Sequence, residues 1–200
     1  KKAWYEKFRW FTSSDGFLVV GGKDATTNEI LIKKHVDPHD IVLHSDIIGA
    51  PFVVVKTEGK TPTQQVIQEA AQFAAFYSRA WREKFGAVDV YWVYPNQLSK
   101  TAPSGQYIGK GAFIIKGTKN YIRGVPLRAA LGIQKSGEQL RVIGGPIEAV
   151  QKHTNVYVEV VPGDEPSAKL ARRIRHLMYE KAAQEDRERI SKIRVEEIQQ

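Results

Sequence analysis

The stretch of sequence that decides the fold reads Asp40-Ile-Val-Leu-His-Ser-Asp-Ile-Ile-Gly-Ala-Pro-Phe-Val-Val-Val-Lys56. Its two ends, Asp40 to Ser45 and Phe52 to Lys56, are rich in β-branched residues, which favour strands. Gly49 and Pro51 lie between them, and both residue types interrupt regular structure. The stretch therefore predicts two strands separated by a turn.

A helix is predicted downstream of these strands. From Thr63 to Phe85 apolar side chains recur with the period of an α-helix, and this is the clearest helical pattern in the chain. Thr61 fits the N-cap of this helix and Pro62 its first turn. The cations up to Lys84 would then lie in its last turn, where positive charge suits the helix dipole.

The neighbouring segments also carry secondary-structure signals. Aromatic residues at helix-like spacing predict an amphipathic helix over Lys1 to Phe11. Asp24 fits the N-cap of a short helix that runs to about Lys34. Further strands are predicted at Phe17 to Val20, Val88 to Tyr94 and Ala112 to Ile115.

A smaller module is predicted beyond residue 125. Two strands, Gln139 to Ile143 and Val156 to Val161, surround a helix near Pro146 to Lys152. A long, highly charged helix is predicted from Ala168 to about Lys192. The elements together predict an α+β fold, with a central mixed β-sheet and one long packed helix in a domain over residues 1–125. A C-terminal extension over residues 126–200 would end in the charged helix.

The composition points to a polyanionic partner. The 200 residues hold 30 Lys and Arg against 22 Asp and Glu, and the net charge of +8 favours nucleic acid first and an acidic membrane surface second. The lack of cysteine excludes disulfides, thiol catalysis and Cys-ligated zinc. No apolar run is long enough to span a bilayer, and the N-terminus has neither a signal region nor an initiator Met. We therefore expect a cytoplasmic fragment of a longer protein that does not enter membranes.

The positive surplus lies in one part of the sequence. From Val90 to Gly137 there is no Asp or Glu, whereas the other 152 residues carry 23 basic and 22 acidic groups. This acid-free stretch holds seven basic residues (Lys100, Lys110, Lys116, Lys119, Arg123, Arg128, Lys135) and the aromatic residues Tyr91, Trp92, Tyr94, Tyr107, Phe113 and Tyr121. Cations neutralise phosphates, and exposed rings can stack on unpaired bases. We interpret the basic run as a nucleic-acid-binding surface, although each aromatic residue by itself is more typical of a core.

The candidate RNA contacts come mainly from this stretch. The phosphate contacts are expected from Lys100, Lys110, Lys116, Lys119 and Arg123. The loop from Ser99 to Gly105 adds the hydroxyls of Ser99, Thr101 and Ser104 and a glycine N–H that an anion can approach closely. The loop lacks the Gly-Lys-Ser/Thr ending of a Walker loop, and a plain surface turn explains it equally well. His44 and Lys56 complete the candidate set.

A second class of function is indicated by His44, Asp46 and Lys56. His44 and Asp46 lie two residues apart on a predicted strand, so their side chains would share a face. With Lys56 or His39 they could form the acid–base site of a nuclease or lyase. The alternative is that His44 is a partly buried, hydrogen-bonded histidine that holds the turn to Gly49.

Five blocks of sequence carry a resemblance to a known family. They are Trp4-Tyr-Glu-Lys-Phe-Arg-Trp-Phe-Thr-Ser-Ser-Asp-Gly-Phe-Leu-Val-Val-Gly-Gly22, the Asp40 to Lys56 stretch, Glu69 to Trp81, Tyr91 to Tyr107 and Gly111 to Gly117. In this order they resemble the NFACT-R domain of NEMF/FbpA-like ribosome quality control factors, and the chain is similar to archaeal members. The resemblance covers about Lys1 to Arg123, and the segment from Ile143 onward is similar to the archaeal C-terminal continuation.

The resemblance implies a non-catalytic RNA-binding domain of a factor that rescues stalled ribosomes. The implied partners are tRNA, large-subunit rRNA and the ribosome, and we expect no cofactor and no metal. Two alternatives remain open. One is the nuclease or lyase described above, and the other is a protein-docking scaffold, whose aromatic residues would form an exposed apolar patch.

Overall fold

The computed structural model describes residues 1–199, and the chain divides into two compact units, residues 1–127 and residues from 128 onward. Helices and antiparallel sheets make up both units, which confirms the α+β class. No helix among residues 1–199 is both long enough and apolar enough to cross a membrane.

The first unit contains eight strands and two helices. The strands are β1 (Arg9–Thr12), β2 (Leu18–Gly21), β3 (Ile41–Ser45), β4 (Val53–Lys56), β5 (Ala87–Val93), β6 (Leu98–Ser99), β7 (Ile114–Ile115) and β8 (Asn120–Pro126). The helices are α1 (Ala25–Lys34) and α2 (Gln64–Phe76). Six strands form one sheet in the order β1-β2-β4-β3-β5-β8, while β6 and β7 form a separate two-stranded sheet.

The two faces of the six-stranded sheet are covered by different helices. On one face Phe11 of β1 and Val19 of β2 are paired residues, and the Phe11 ring lies 4.8 Å from the ring of Phe73 in α2. On the other face Val20 and Val54 are paired and share a buried cluster with Leu31 of α1. The β-branched runs of β3 and β4 therefore lie at the centre of the unit, as their composition indicates.

The sheet is antiparallel throughout the described residues, so the prediction of a mixed sheet is wrong. For the central pair β3–β4 the reason is the length of the connection. The turn between β3 and β4, residues 46–52, is too short for a crossover, and a short turn can only return the chain in the opposite direction.

The N-cap of α1 is confirmed. The Asp24 carboxylate accepts a hydrogen bond from the backbone N–H of Thr27 at 2.8 Å, and the helix runs from Ala25 to Lys34. A short polar side chain at this position satisfies a backbone donor that has no partner within the helix. This local interaction is encoded within four residues of sequence, which is why it could be predicted.

The predicted helix over Lys1 to Phe11 is wrong. A 3-10 turn, Trp4–Lys7, leads instead into β1, which pairs with β2. Glu69 of α2 is fully buried and accepts hydrogen bonds from the N–H (2.9 Å) and the hydroxyl (2.6 Å) of Ser14, in the turn between these strands. Because this support comes from a residue 55 positions away, the local spacing of aromatic residues could not reveal it.

The predicted helix from Thr63 to Phe85 is real but shorter, and its N-cap is Thr63 in place of Thr61. It ends at Phe76, where the N–H and hydroxyl of Ser78 both return to the carbonyl oxygen of Ala75. A serine that bonds to its own backbone in this way offers an alternative to the helix. The cations from Arg79 onward therefore lie in turns and do not end a helix.

β8 has no counterpart in the sequence-based prediction. Its sequence, Asn-Tyr-Ile-Arg-Gly-Val-Pro, contains glycine and proline, which are depleted in strands. It lies at the edge of the sheet, beside β5. An edge strand tolerates such residues because one of its sides needs no ladder partner.

The second unit is a three-stranded sheet with helices on both faces. Its strands are β9 (Ala129–Ser136), β10 (Gln139–Gly145) and β11 (Tyr157–Val160), and its helices are α3 (Ile147–His153), α4 (Ser167–Lys181), α5 (Arg187–Ser191) and α6 (Val195–Gln199). The strand order is β10-β9-β11. Ala130 of β9 packs with α3, while Ile133 packs with α4, α5 and α6.

The predicted long C-terminal helix is wrong in its second half, because α4 ends at Lys181. The chain then turns back, so that Ile190 and Ile198 join Ile174 and Met178 of α4 in one buried cluster. In a continuous helix, residue 190 would lie about 14 Å beyond Lys181, out of reach of this core. Burial of these isoleucines favours the break.

Candidate nucleic-acid interface

The outer edge of the six-stranded sheet carries a bulge. Between the pairs Val88–Val125 and Val90–Ile122, the residues Arg123 and Gly124 of β8 lie opposite Asp89 of β5. The Asp89 carboxylate accepts hydrogen bonds from the Gly124 N–H at 2.9 Å and from Arg123 Nη1 at 2.8 Å. Both hydrogen bonds lower the pKa of the Asp89 carboxyl, and the bond from Gly124 has the larger effect. Bulges of this kind redirect side chains at sheet edges.

An aromatic row crosses one face of the sheet and ends at this bulge. It consists of Phe113, Phe52, His44, Tyr91 and Tyr121. The centroid distances between successive rings are 5.6, 4.7, 5.9 and 5.7 Å. The alignment follows from strand register, because His44 pairs with Tyr91 and Tyr91 with Tyr121 across three neighbouring strands. Tyr121 is the exposed end of the row.

Three of the predicted RNA-binding cations lie over rings of this row. Lys100 Nζ lies 4.5 Å from the centroid of Phe113, and Lys119 Nζ lies 4.7 Å from that of Tyr91. The Arg123 guanidinium carbon lies 3.9 Å from the centroid of Tyr121. Cation–π attraction holds charged groups at such positions. The rings thus hold cations at the surface. Of the six aromatic residues in the acid-free stretch, Tyr91 is buried and Trp92 and Phe113 are half-buried, which agrees with the interpretation as core. That interpretation is wrong for Tyr94, Tyr107 and Tyr121, which are exposed.

Lys100 has internal partners. Its ammonium group lies 2.7 Å from a carboxylate oxygen of Glu29 and donates to the carbonyl oxygens of Gly109 (2.9 Å) and Ala112 (2.7 Å). The Gly111 N–H also donates to Glu29, at 2.7 Å. Lys100 therefore fastens the loop between β6 and β7 to α1, and few of its donor positions remain for RNA.

We expect the substitution Glu29→Gln to weaken this fastening. Burial by itself would raise the pKa of Glu29, but hydrogen bonds from Lys100, Lys33 and Gly111 hold it at about 2. A carboxylate with a depressed pKa stabilises the fold above its unfolded-state pKa, and this contribution is lost as the pH falls through the folded-state value. The loss of unfolding free energy should therefore be about 1–2 kcal/mol near neutral pH and should vanish near pH 2.

Thermal unfolding of wild type and Glu29→Gln across this pH range is the measurement. A Lys34→Gln variant is the control, because Lys34 is exposed and lies near the end of the same helix. If the stability difference between wild type and Glu29→Gln is the same at low pH as at neutral pH, the role assigned to the Glu29 carboxylate is wrong.

Three other cations of the acid-free stretch differ from Lys100 in that they form no ion pair within the described part of the chain. Within residues 1–199, Lys110, Lys116 and Lys119 are exposed and have no carboxylate within ion-pair distance. Lys116 and Lys119 flank a turn whose backbone is held by the Gln97 amide, which donates to the carbonyl oxygens of Lys116 (2.8 Å) and Thr118 (2.9 Å). The backbone of this turn is thus fixed while its ammonium groups remain available.

The hydroxyl residues of the Ser99 to Gly105 loop fall into two groups. Ser99 Oγ accepts a hydrogen bond from the Thr101 N–H at 3.0 Å, so these two residues stabilise the start of the loop. Ser104 is exposed next to Gly105, whose N–H donates to the carbonyl oxygen of Ala102 at 3.1 Å. The glycine N–H that was expected to meet an anion is therefore already used within the turn.

His44 has a structural role, because its side chain holds the turn that follows β3. Its Nε2 lies 2.8 Å from the carbonyl oxygen of Ala50, so the imidazole spans the turn between β3 and β4. Burial lowers the pKa of His44, which favours the neutral ring. A neutral ring that donates through Nε2 leaves Nδ1 as an acceptor, with the Tyr91 hydroxyl 3.5 Å away.

The acid–base constellation of His44, Asp46 and Lys56 does not assemble. Register places Lys56 beside Asp40 and His44 beside Phe52, at opposite ends of the β3–β4 pair. Four residues of strand correspond to about 13 Å. Lys56 Nζ is bound by Asp40 at 2.5 Å, Asp37 at 3.0 Å and the carbonyl oxygen of His35 at 2.7 Å. The nuclease or lyase interpretation is therefore not supported.

An antiparallel sheet with cations over aromatic rings at one edge, and with exposed lysines that form no ion pair on the adjoining turns, is typical of nucleic-acid-binding modules. The family model described as the NFACT protein RNA binding domain matches residues 7–117, which is more than half of the chain. The chain belongs to this family, and the resemblance seen in the sequence is confirmed.

Several proteins are similar to this chain. The archaeal Rqc2 homolog aRqcH of Methanocaldococcus jannaschii is 43% identical over 177 residues, which cover 88% of this chain and 26% of that protein. The ribosome quality control complex subunit NEMF of Homo sapiens is 42% identical over 123 residues, which cover 61% of this chain and 11% of that protein. The chain thus spans about a quarter or less of the length of these two relatives.

A solved structure shares the fold. It is the C-terminal part of the fibronectin/fibrinogen-binding protein from Streptococcus suis, with a TM-score of 0.51 and 24% identity. The match covers 63% of this chain and 48% of that chain.

Proposed function

We propose that this chain is the RNA-binding part of a ribosome quality control factor. In this proposal it contacts tRNA and large-subunit rRNA on the ribosome, in the cytoplasm, and contributes no catalytic group. The names of the relatives support the ribosomal role, because the human protein is a ribosome quality control complex subunit and the archaeal protein is an Rqc2 homolog. The internal partners of His44 and Lys56 support the non-catalytic role.

The observation that carries the proposal is a group of exposed lysines that form no ion pair within residues 1–199. Lys110, Lys116 and Lys119 lie on turns between β6 and β8, and Arg123 on β8 adds a guanidinium that keeps donors beyond its bond to Asp89. Phosphates are bound most readily by cations that need not first break an ion pair. We therefore centre the proposed RNA surface on these four residues, and assign Lys100 and Lys56 to the fold.

The test is the salt dependence of RNA binding. Fluorescence anisotropy with a labelled tRNA should show an affinity that falls by roughly 20- to 150-fold between about 50 and 200 mM monovalent salt, as expected for three or four phosphate contacts. A folded chain that shows no binding, or binding that salt does not change, would overturn the proposal. RNA that is recovered intact after incubation with the protein is the result expected of a non-catalytic module.

A further inference from the structure

Three aromatic side chains of the acid-free stretch are exposed, Tyr94, Tyr107 and Tyr121, and Tyr94 and Tyr121 each contact another ring. Tyr107, in the loop between β6 and β7, is 91% exposed. Within residues 1–199 it has no ring contact, hydrogen bond or ion pair. Tyrosine in folded proteins is normally at least partly buried, because its ring is apolar. Its position at the surface therefore needs an explanation.

The loop around Tyr107 is held in place on both sides. Before it, the Gly105 N–H closes a turn onto the carbonyl oxygen of Ala102. After it, the Lys100 ammonium group binds the carbonyl oxygens of Gly109 and Ala112, and Gly111 lies against α1. At Gly111, which has a φ of +79°, a Cβ atom would lie 2.7 Å from backbone atoms of Ala25, so only glycine permits this close approach. Tyr107 thus projects from an anchored loop.

The surroundings of Tyr107 fit a nucleotide. Its sequence neighbours Ser104, Gly105 and Gln106 are small or polar. Lys110 follows three residues later and is exposed, and it forms no ion pair within the described chain, although its charge helps to lower the pKa of Asp24. An exposed ring and an exposed cation three residues apart on one loop offer a stacking face for a base and a charge for the adjoining phosphate. Bases inside a continuous duplex are already stacked on both faces, so only unpaired bases can use such a ring.

We propose that Tyr107 stacks on an unpaired base, and that the RNA bound by this unit presents a single-stranded loop or bulge at this position. The proposal rests on the proposed function and specifies the class of RNA. Lys116, Lys119 and Arg123 bind the backbone regardless of pairing, whereas Tyr107 discriminates between paired and unpaired RNA.

The test compares three RNAs with equal stems: a hairpin with an unpaired loop, the same hairpin with abasic loop positions, and a blunt duplex. Tyr107→Ala should weaken binding of the first hairpin by roughly 5- to 100-fold and leave the other two unchanged. Tyr107→Trp should retain wild-type affinity, because it keeps an aromatic face. Wild type should bind the abasic hairpin as weakly as Tyr107→Ala binds the intact hairpin.

The matched control is Phe85→Ala, which removes a 45% exposed ring outside the acid-free stretch and should change binding of none of the three RNAs. The melting temperature of Tyr107→Ala should equal that of wild type. If Tyr107→Ala binds the intact hairpin like wild type, or weakens all three RNAs equally, the stacking proposal fails while the proposed function stands. If wild type binds none of the RNAs, both fail.

Discussion

Replacing Asp40 by alanine is expected to lower the free energy of unfolding by about 3–5 kcal/mol. Asp40 is fully buried, and its carboxylate accepts hydrogen bonds from Lys56 Nζ (2.5 Å), the Asp37 N–H (2.8 Å) and the Thr57 N–H (3.0 Å). Its removal leaves the Lys56 ammonium group, whose side chain is only 11% exposed, without a buried counter-charge. Only the exposed Asp37 carboxylate and the carbonyl oxygen of His35 would then remain on this ammonium group, and a poorly compensated buried charge is strongly destabilising.

The matched control is Asp37→Ala. Asp37 pairs with the same ammonium group at 3.0 Å, but its side chain is 72% exposed, so the loss should be below about 1 kcal/mol. The double variant Asp40→Ala/Lys56→Met should be more stable than Asp40→Ala, because it removes the stranded charge together with its partner. Urea unfolding monitored by circular dichroism measures all three. Equal losses of unfolding free energy for Asp37→Ala and Asp40→Ala would contradict the dominant role of the buried Asp40–Lys56 ion pair.

This prediction also bears on function. Because Lys56 is engaged by Asp40, its substitution should change stability and leave the salt dependence of RNA binding unaltered. Lys56 and His44, both candidates on sequence grounds, would then be residues that stabilise the central β3–β4 pair. A Lys56→Met variant that stays folded but loses RNA affinity would restore it to the proposed surface.

The triple variant Lys110→Gln/Lys116→Gln/Lys119→Gln is expected to bind tRNA about 10- to 100-fold more weakly than wild type at low salt. Each lysine that contacts a phosphate releases counterions, so the slope of log affinity against log salt should fall in magnitude by about 2 to 3. These side chains are exposed and form no ion pair in residues 1–199, and the melting temperature should therefore change little.

A control with the same change in net charge separates a local surface from overall charge. The variant Lys2→Gln/Lys34→Gln/Lys60→Gln also removes three exposed lysines from the first unit, all outside the acid-free stretch. It should lose less than about threefold in affinity, because charges more than a Debye length from the ligand are screened. Equal losses for the two triple variants would show that only net charge matters. Fluorescence anisotropy across a salt series measures both quantities.

Several features of this protein could be predicted from the sequence because their causes are local. The β-branched runs predict β3, β4 and β5, and the Asp24 cap of α1 depends on residues within one helical turn. The family could also be identified, since its blocks of sequence are long and occur in a fixed order. The gap in acidic residues between Val90 and Gly137 is likewise visible in the sequence.

The tertiary structure decided which of those cations are available. In the folded protein the acid-free stretch has acidic neighbours from other parts of the sequence, because Glu29 forms an ion pair with Lys100 and Asp89 forms one with Arg123. The tertiary structure also places His44 and Lys56 at opposite ends of a strand pair. It makes part of the N-terminal segment a strand and breaks the predicted C-terminal helix, whose second half packs back on the first. Each of these outcomes depends on contacts between residues distant in sequence. Spacing and propensity report only local preferences, whereas ion pairing, strand register and burial are determined by the partner that folding brings within reach.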